Sequence, residues 1–220
     1  IYYQTCCYEL DVLKPGNHSK YSKILGMNEL KFKYAAKISS NFLANKNLSL
    51  GEAIFFSAKE CKIRLNSNYN LGIIILCAPI IKTCMSGIKN FKVDLKCQLD
   101  AINENDGKLI IKAIQILKPG GIKNYKGKAN VLDSDNKVNF DEMMKIGASF
   151  DRISKCYIDN YKEIFDFGLP IFKSLKKKTS KYKATQILYI NYLANALDSH
   201  LNRKVGKEKA EIIMKKGLQL

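Results

Sequence analysis

The carboxylates Glu9, Asp151 and Asp198 and the cations Lys14, Arg152, Arg203 and Lys204 fall inside five short polar or glycine-containing motifs of an otherwise lysine-rich, 220-residue chain. The motifs are Glu9 with Lys14, Pro15, Gly16 and Asn17; Asn68, Tyr69, Asn70, Leu71 and Gly72; Pro119, Gly120 and Gly121; Asp151 and Arg152; and Asp198, Ser199 and His200 with Arg203, Lys204 and Gly206. Helix packing needs apolar faces and short turns, and asparagine pairs, diglycines and an Asp/Arg dipeptide add nothing to it. A phosphate-rich ligand does need such residues, as fixed cations, main-chain amides and orienting side chains.

Each motif admits a plainer reading beside the chemical one. Lys14 to Asn17 place one lysine and at least two main-chain amides at a helix terminus, which makes an anion cradle or an ordinary Pro-Gly turn. Asn68 and Asn70 flank Tyr69 directly before an apolar helix, so that one amide caps while the other faces a ligand; a double cap is the alternative. Asp151 and Arg152 are expected mid-helix, among Ile146, Ala148 and Ile153, as a solvated face or a polar patch aimed inward. Asp198 and Asn202, and less well Arg203, share a helix face, and His200 reads as a surface or capping residue.

The net charge of +17 suits polyanions, because cations gain affinity for phosphate by releasing counterions. Lysine supplies 34 of the 37 cations and arginine three, of which Arg152 and Arg203 lie in motifs and Arg64 does not. A guanidinium offers a bidentate fork that an ammonium cannot copy, toward phosphate or toward a neighbouring carboxylate such as Asp151 or Asp198. Six lysines lie between Lys173 and Lys183, with no acid from Phe167 through Leu197. That field steers anions or simply faces solvent. Basic and aromatic residues are not interleaved as in stacking platforms, which disfavours the alternative of a basic helical nucleic-acid-binding module.

The elements that must position these residues are helices. Ser49 with Glu52 is a capping-box pattern opening a helix through about Leu65. Leu71 to Ile81 is apolar on all sides and marks a central, buried helix. Helical spacing carries Leu109 to Leu117 after Asn105 and Asp106, and a segment from Asn139 through Phe165 up to Gly168. Met27 to Ala44, Lys181 to Leu201 and Lys207 to Lys216 complete the set, with almost no period-two alternation. The fold class is therefore all-α, expected as a single compact domain over 1–220 around the central helix. Gly120 to Val138, long and polar, reads as a lid or binding loop, or else as a disordered segment.

The apolar run Leu71 to Ile81 spans eleven residues, short of the roughly 20 that cross a bilayer. No leader pattern opens the chain, so the cytoplasm is the expected address. The seven cysteines are odd in number, most sit on expected buried faces, and no CxxC or Cys/His spacing suits zinc. Free thiols follow.

In order, the motifs resemble the triphosphoribosyl-dephospho-CoA synthase family over nearly the whole chain. Glu9 and Leu13 to Asn17 match a Glu before PKPGN; Asn68 to Gly72 with Ala78 and Pro79 match NTNLG followed by AP; Pro119 to Gly121 match a PGG turn. Asp151, Arg152, Ile153 and Tyr157 match a charged pair before IxxxY, and Asp198, Ser199, Arg203, Lys204 and Gly206 match D[ST]xxxRKxG. The chain departs in having Leu13 for proline, Tyr69 for threonine and Ile122 with Lys123 after the PGG, and it stops at Leu220 without the family's further NPG…AD segment. The resemblance implies transfer of the triphosphoribosyl group of ATP to the ribose hydroxyl of 3′-dephospho-CoA, releasing adenine, with ATP as substrate, magnesium and no membrane or nucleic acid as partner. It implies catalysis by Glu9, Asp151 and Asp198. Substrate binding falls to Lys14, Gly16, Asn17, Asn68, Asn70, Gly72, Gly120, Gly121, Arg152, Arg203 and Lys204.

Overall fold

A computed structural model describes residues 1–120, 122, 125–133, 139–196, 202 and 206–217. Among them every regular element is helical. Helix α1 (Tyr2–Asp11) leads through the Leu13 to Asn17 loop toward α2 (Glu29–Leu43) and α3 (Leu50–Leu65). The next three are α4 (Leu71–Met85), α5 (Phe91–Asp100) and α6 (Glu104–Leu117). Then come α7 (Phe140–Gly147), α8 (Arg152–Ile158), a π-helical turn (Glu163–Gly168), α9 (Leu169–Lys178), α10 (Lys181–Asn195) and α11 (Lys207–Gly217).

Short polar side chains start most of these helices by taking an otherwise unpaired N–H of the first turn. The Ser49 hydroxyl accepts from Glu52 N, and the Glu52 carboxylate accepts from Ser49 N at 2.8 Å, which completes the expected capping box. Asn103 caps α6 one turn earlier than Asn105 and Asp106 suggested, leaving Asp106 inside the helix and buried. Its carboxylate accepts from Gly51 N at 2.8 Å and from the Ser49 hydroxyl. A Cβ on Gly51 would stand 2.4 Å from the Asp106 Cα, so glycine sets the close approach of α3 to α6.

The central helix is α4, which lies against α2, α3, α5, α6 and α8. Pro79 interrupts it from within and has no N–H to offer the carbonyl four residues back. The Tyr157 hydroxyl donates to that Ile75 carbonyl at 2.8 Å, and the Tyr161 hydroxyl donates to the Leu76 carbonyl at 2.8 Å. A helix defect thereby becomes the anchor for α8 and the turn after it. Tyr161 is fully buried with φ at 60°, left-handed backbone that costs about 1–2 kcal/mol for a non-glycine residue and is offset by that burial and hydrogen bond.

The expected helix from Asn139 to Phe165 is instead broken. Asn139 does cap α7, accepting from Glu142 N at 2.9 Å, but the chain leaves helix after Gly147 and restarts at Arg152. Asp151 has extended backbone and its carboxylate caps α8, accepting from Ser154 N at 3.0 Å. Asp151 and Arg152 thus open a helix rather than interrupt one. Sequence spacing also missed α5 and α9. In the expected lid, the described stretch 125–133 is irregular and seats Ala129 and Val131 on the core, with Gln115 donating to the Val131 carbonyl at 2.7 Å.

The seven cysteines are free, but only Cys6, Cys61 and Cys156 are buried; Cys7 and Cys77 are partly exposed and Cys84 and Cys97 exposed. Among the described residues, no helix is long and apolar enough to cross a membrane.

Candidate functional site

Glu9 lies in the last turn of α1, where its carboxylate meets the Lys14 ammonium at 2.9 Å. Lys14, only 6% exposed, also donates to the Val12 carbonyl at 3.0 Å and to the Glu9 carbonyl. It closes the C-terminus of α1, where a cation is favoured, and fixes the Glu9 side chain. Gly16 has φ at 81° with open space around it, so the backbone conformation, not crowding, calls for glycine.

The loop is held from outside by one face of α10. Tyr182 accepts from Leu13 N at 3.3 Å, and Gln186 donates to the Leu13 carbonyl at 3.1 Å. The Tyr189 hydroxyl donates to the Pro15 carbonyl at 2.7 Å and accepts from the Asn17 amide at 2.9 Å. One turn further, Tyr192 presents its ring to Arg152, with the guanidinium carbon 5.0 Å from the ring centre. Gly168 makes room for that tyrosine: a Cβ there would fall 1.9 Å from the Tyr192 hydroxyl oxygen. From Tyr182 to Tyr192 the helix rises about 15 Å, comparable to an extended nucleotide triphosphate.

Arg152 is gripped on one edge by Glu163, whose carboxylate accepts from Nε at 3.2 Å and from Nη2 at 2.5 Å. Both side chains are about three-quarters buried. Glu163 opens the π-helical turn, an uncommon conformation that recurs at functional sites. Burial raises the Tyr192 pKa, so its ring stays neutral beneath the guanidinium.

At the start of α4 the two asparagines divide their work. Asn68 Oδ1 accepts from Leu71 N at 3.1 Å, whereas the Asn70 side chain makes no capping bond. Asn70 is 5% exposed, and its Oδ1 has no hydrogen-bond partner among the described residues. It borders a small cavity with Glu9, Cys6, Leu10, Phe32, Ala36 and Ile73. Burial pushes the Cys6 thiol up to about 11, so that side chain acts as an apolar wall. Gly72 stands where a Cβ would lie 3.2 Å from Ile153, so the Asn68 to Gly72 motif abuts the start of α8.

Three motifs therefore converge: Glu9 to Asn17, Asn68 to Gly72, and Asp151 with Arg152. Gly120 is exposed in the turn after α6 and is not joined to them by a hydrogen bond or ring contact among the described residues. Gly121, Asp198, Ser199, His200, Arg203 and Lys204 lie outside the described residues.

A family model, CitG: ATP:dephospho-CoA triphosphoribosyl transferase, matches residues 1–219. The chain belongs to the ATP:dephospho-CoA triphosphoribosyl transferase family. No curated protein and no solved structure gives a significant match. Membership makes the chain a transferase of the class that acts on ATP and dephospho-CoA, and the motif order is the part of that identity legible in sequence. What the fold adds in three dimensions is Glu163, Tyr182, Gln186, Tyr189 and Tyr192, none of which stood out in a linear reading. The α10 residues did leave a signal, a polar and aromatic stripe at 182, 186 and 189 with helical spacing. Glu163 left none, because its role depends on a π-helical turn. Among the described residues, no group of three or more His, Cys, Asp or Glu side chains is arranged to hold a metal ion.

Proposed function

We propose that this chain moves the triphosphoribosyl group of ATP to the ribose hydroxyl of 3′-dephospho-CoA, releasing adenine and supplying a prosthetic-group precursor. The bond from the ribosyl anomeric carbon to adenine breaks, adenine leaving with the electron pair. The bond from that carbon to the acceptor oxygen forms, and the hydroxyl proton passes to a carboxylate. Positive charge develops on the sugar in between, and carboxylates stabilise it, as in glycoside hydrolysis.

The observation that carries this reading is the meeting of Glu9 and Asn70 on one cavity, with Arg152 placed farther along the face of α10 that holds the Leu13 to Asn17 loop. Glu9 is the carboxylate we assign to the reacting hydroxyl, with Asp198 as a second. Asp151 contributes by starting α8 and so aiming Arg152. The edge of Arg152 not held by Glu163 suits the triphosphate, joined by Arg203 and Lys204, while Gly16, Gly120 and Gly121 supply main-chain amides and Asn17 the side-chain N–H that Tyr189 does not take. Magnesium would come with the triphosphate, and such an ion asks for only one or two protein carboxylates.

The test is chromatographic detection of free adenine after incubation with ATP, magnesium and dephospho-CoA. Adenine that depends on the acceptor is expected, and Glu9→Gln should lower its rate by about 10²- to 10⁴-fold, the usual range for a general base. Adenine formation indifferent to dephospho-CoA would overturn the assignment.

A further inference from the structure

The orientation of the Asn70 amide is set by its neighbours. The Ser39 hydroxyl spends its single proton on the Ala35 carbonyl at 2.8 Å, with a longer branch to the Ala36 carbonyl at 3.2 Å. Its oxygen can then only accept, and it does so from the Tyr2 hydroxyl at 3.1 Å and from Asn70 Nδ2 at 3.4 Å. Burial raises the Tyr2 pKa, which keeps that proton in place. Because Ser39 has no proton left to give, the nitrogen of Asn70 must face it and the oxygen must face the cavity.

The group left buried and unpartnered is therefore an acceptor, Asn70 Oδ1. Glu9 also lines the cavity, and its carboxylate is paired with the Lys14 ammonium at 2.9 Å. A phosphate oxygen, which brings only lone pairs, cannot satisfy Asn70 Oδ1; an O–H donor is what it lacks. The cavity holds about 10 Å³, room for one small polar group and not for a purine ring.

Building on the transferase reading, we propose that Asn70 and Glu9 together hold the ribose diol of the acceptor nucleotide, Asn70 Oδ1 accepting from the 3′-hydroxyl and Glu9 from the neighbouring one. The 3′-hydroxyl is what distinguishes dephospho-CoA from CoA, which carries a phosphate there. Asn70 is thus a specificity-determining residue: its buried acceptor is satisfied by the hydroxyl and left unpaired by the phosphate.

Equilibrium binding of ATP, dephospho-CoA, its 3′-deoxy analogue and CoA tests this. Wild-type protein should bind the 3′-deoxy analogue about tenfold or more weakly than dephospho-CoA, since the analogue leaves a buried acceptor unpaired. CoA should bind at least as weakly. This ratio needs no variant and so does not depend on a variant folding. Asn70→Leu, near in volume and without the acceptor, should bring the ratio of dephospho-CoA to its 3′-deoxy analogue close to one while leaving ATP affinity unchanged. Equal binding of dephospho-CoA and its deoxy analogue by wild type would mean that the cavity holds only a water, and would sink the proposal. Loss of ATP affinity in Asn70→Leu with the acceptor ratio intact would also sink it, by moving the contact to the donor nucleotide. Wild-type protein that binds neither ATP nor dephospho-CoA overturns the transferase reading and this inference with it.

Discussion

The Tyr189 hydroxyl serves two groups of one loop, donating to Pro15 and accepting from Asn17. Each bond is worth about 1 kcal/mol, so Tyr189→Phe should lower the melting temperature only slightly. The loop, however, loses its register against α10, and kcat/KM for ATP is expected to fall about tenfold, a difference of about 1.4 kcal/mol at the transition state. Steady-state kinetics beside a melting curve decide it; unchanged kcat/KM would show that α10 holds the loop for stability alone. The thiols give a second residue-scale prediction. Burial pushes Cys61, Cys77 and Cys156 up to about 12. An unfolded thiol ionises near pH 8.5. As pH rises past that value the unfolded chain loses protons that the folded chain keeps, so the stabilisation, complete at lower pH, drains away up to about pH 12. Melting temperature should therefore fall above about pH 8.5. Mass-resolved alkylation at pH 8 should mark Cys84 and Cys97 and spare the buried Cys61 and Cys156; rapid labelling of Cys156 in the folded protein would contradict the argument.

At the scale of elements, α4 and α8 are coupled through a missing hydrogen-bond donor. Pro79 frees the Ile75 carbonyl and Tyr157 takes it. Tyr157→Phe leaves that carbonyl buried and unpaired, at an expected cost of about 1–3 kcal/mol. Pro79→Ala restores an N–H that can close the helix onto the same carbonyl. The double variant should consequently lose less stability than the two single variants summed, by at least about 0.5 kcal/mol, as read by denaturant unfolding. Additive losses would mean that the tyrosine hydroxyl and the proline are independent. The same coupling matters for the site, since α8 begins with Arg152 and its placement against α10 depends on where α4 anchors Tyr157.

For the whole molecule, the net charge of +17 acts on encounter more than on fold. Lys173, Lys176, Lys177 and Lys178 of α9 are exposed beside the start of α10, the helix that holds the Leu13 to Asn17 loop. Anionic nucleotides are drawn toward that end of the molecule. Raising salt from 50 to 300 mM should lower kcat/KM for ATP several-fold and leave kcat nearly constant, because steering affects association and not the bound complex. A salt-independent kcat/KM would reduce the lysine run to solvated surface. Steeply salt-dependent binding of nucleic acid at the same ionic strength would instead favour a polyanion-binding role.

Local chemistry was readable in the chain by itself. Ser49 with Glu52 and Asn139 ahead of Glu142 announce helix starts because capping needs only residues three positions apart. The apolar run from Leu71 announces the central helix because helical period and hydrophobicity are properties of a segment. The order of the five motifs carried the family. Tertiary structure decided what depends on groups far apart in sequence. Asn68 and Asn70 look alike in the chain, and only the spent proton of Ser39, 31 residues away, leaves Asn70 Oδ1 as the open acceptor. Arg152 reads as mid-helix until Gly147 and the Asp151 cap break the helix ahead of it, and its partner Glu163 is brought round by a π-helical turn that no short-range pattern signals. Contacts across 170 residues, such as Asn17 to Tyr189, rest on how helices pack, which burial of their apolar faces settles for the chain as a whole and no single segment encodes.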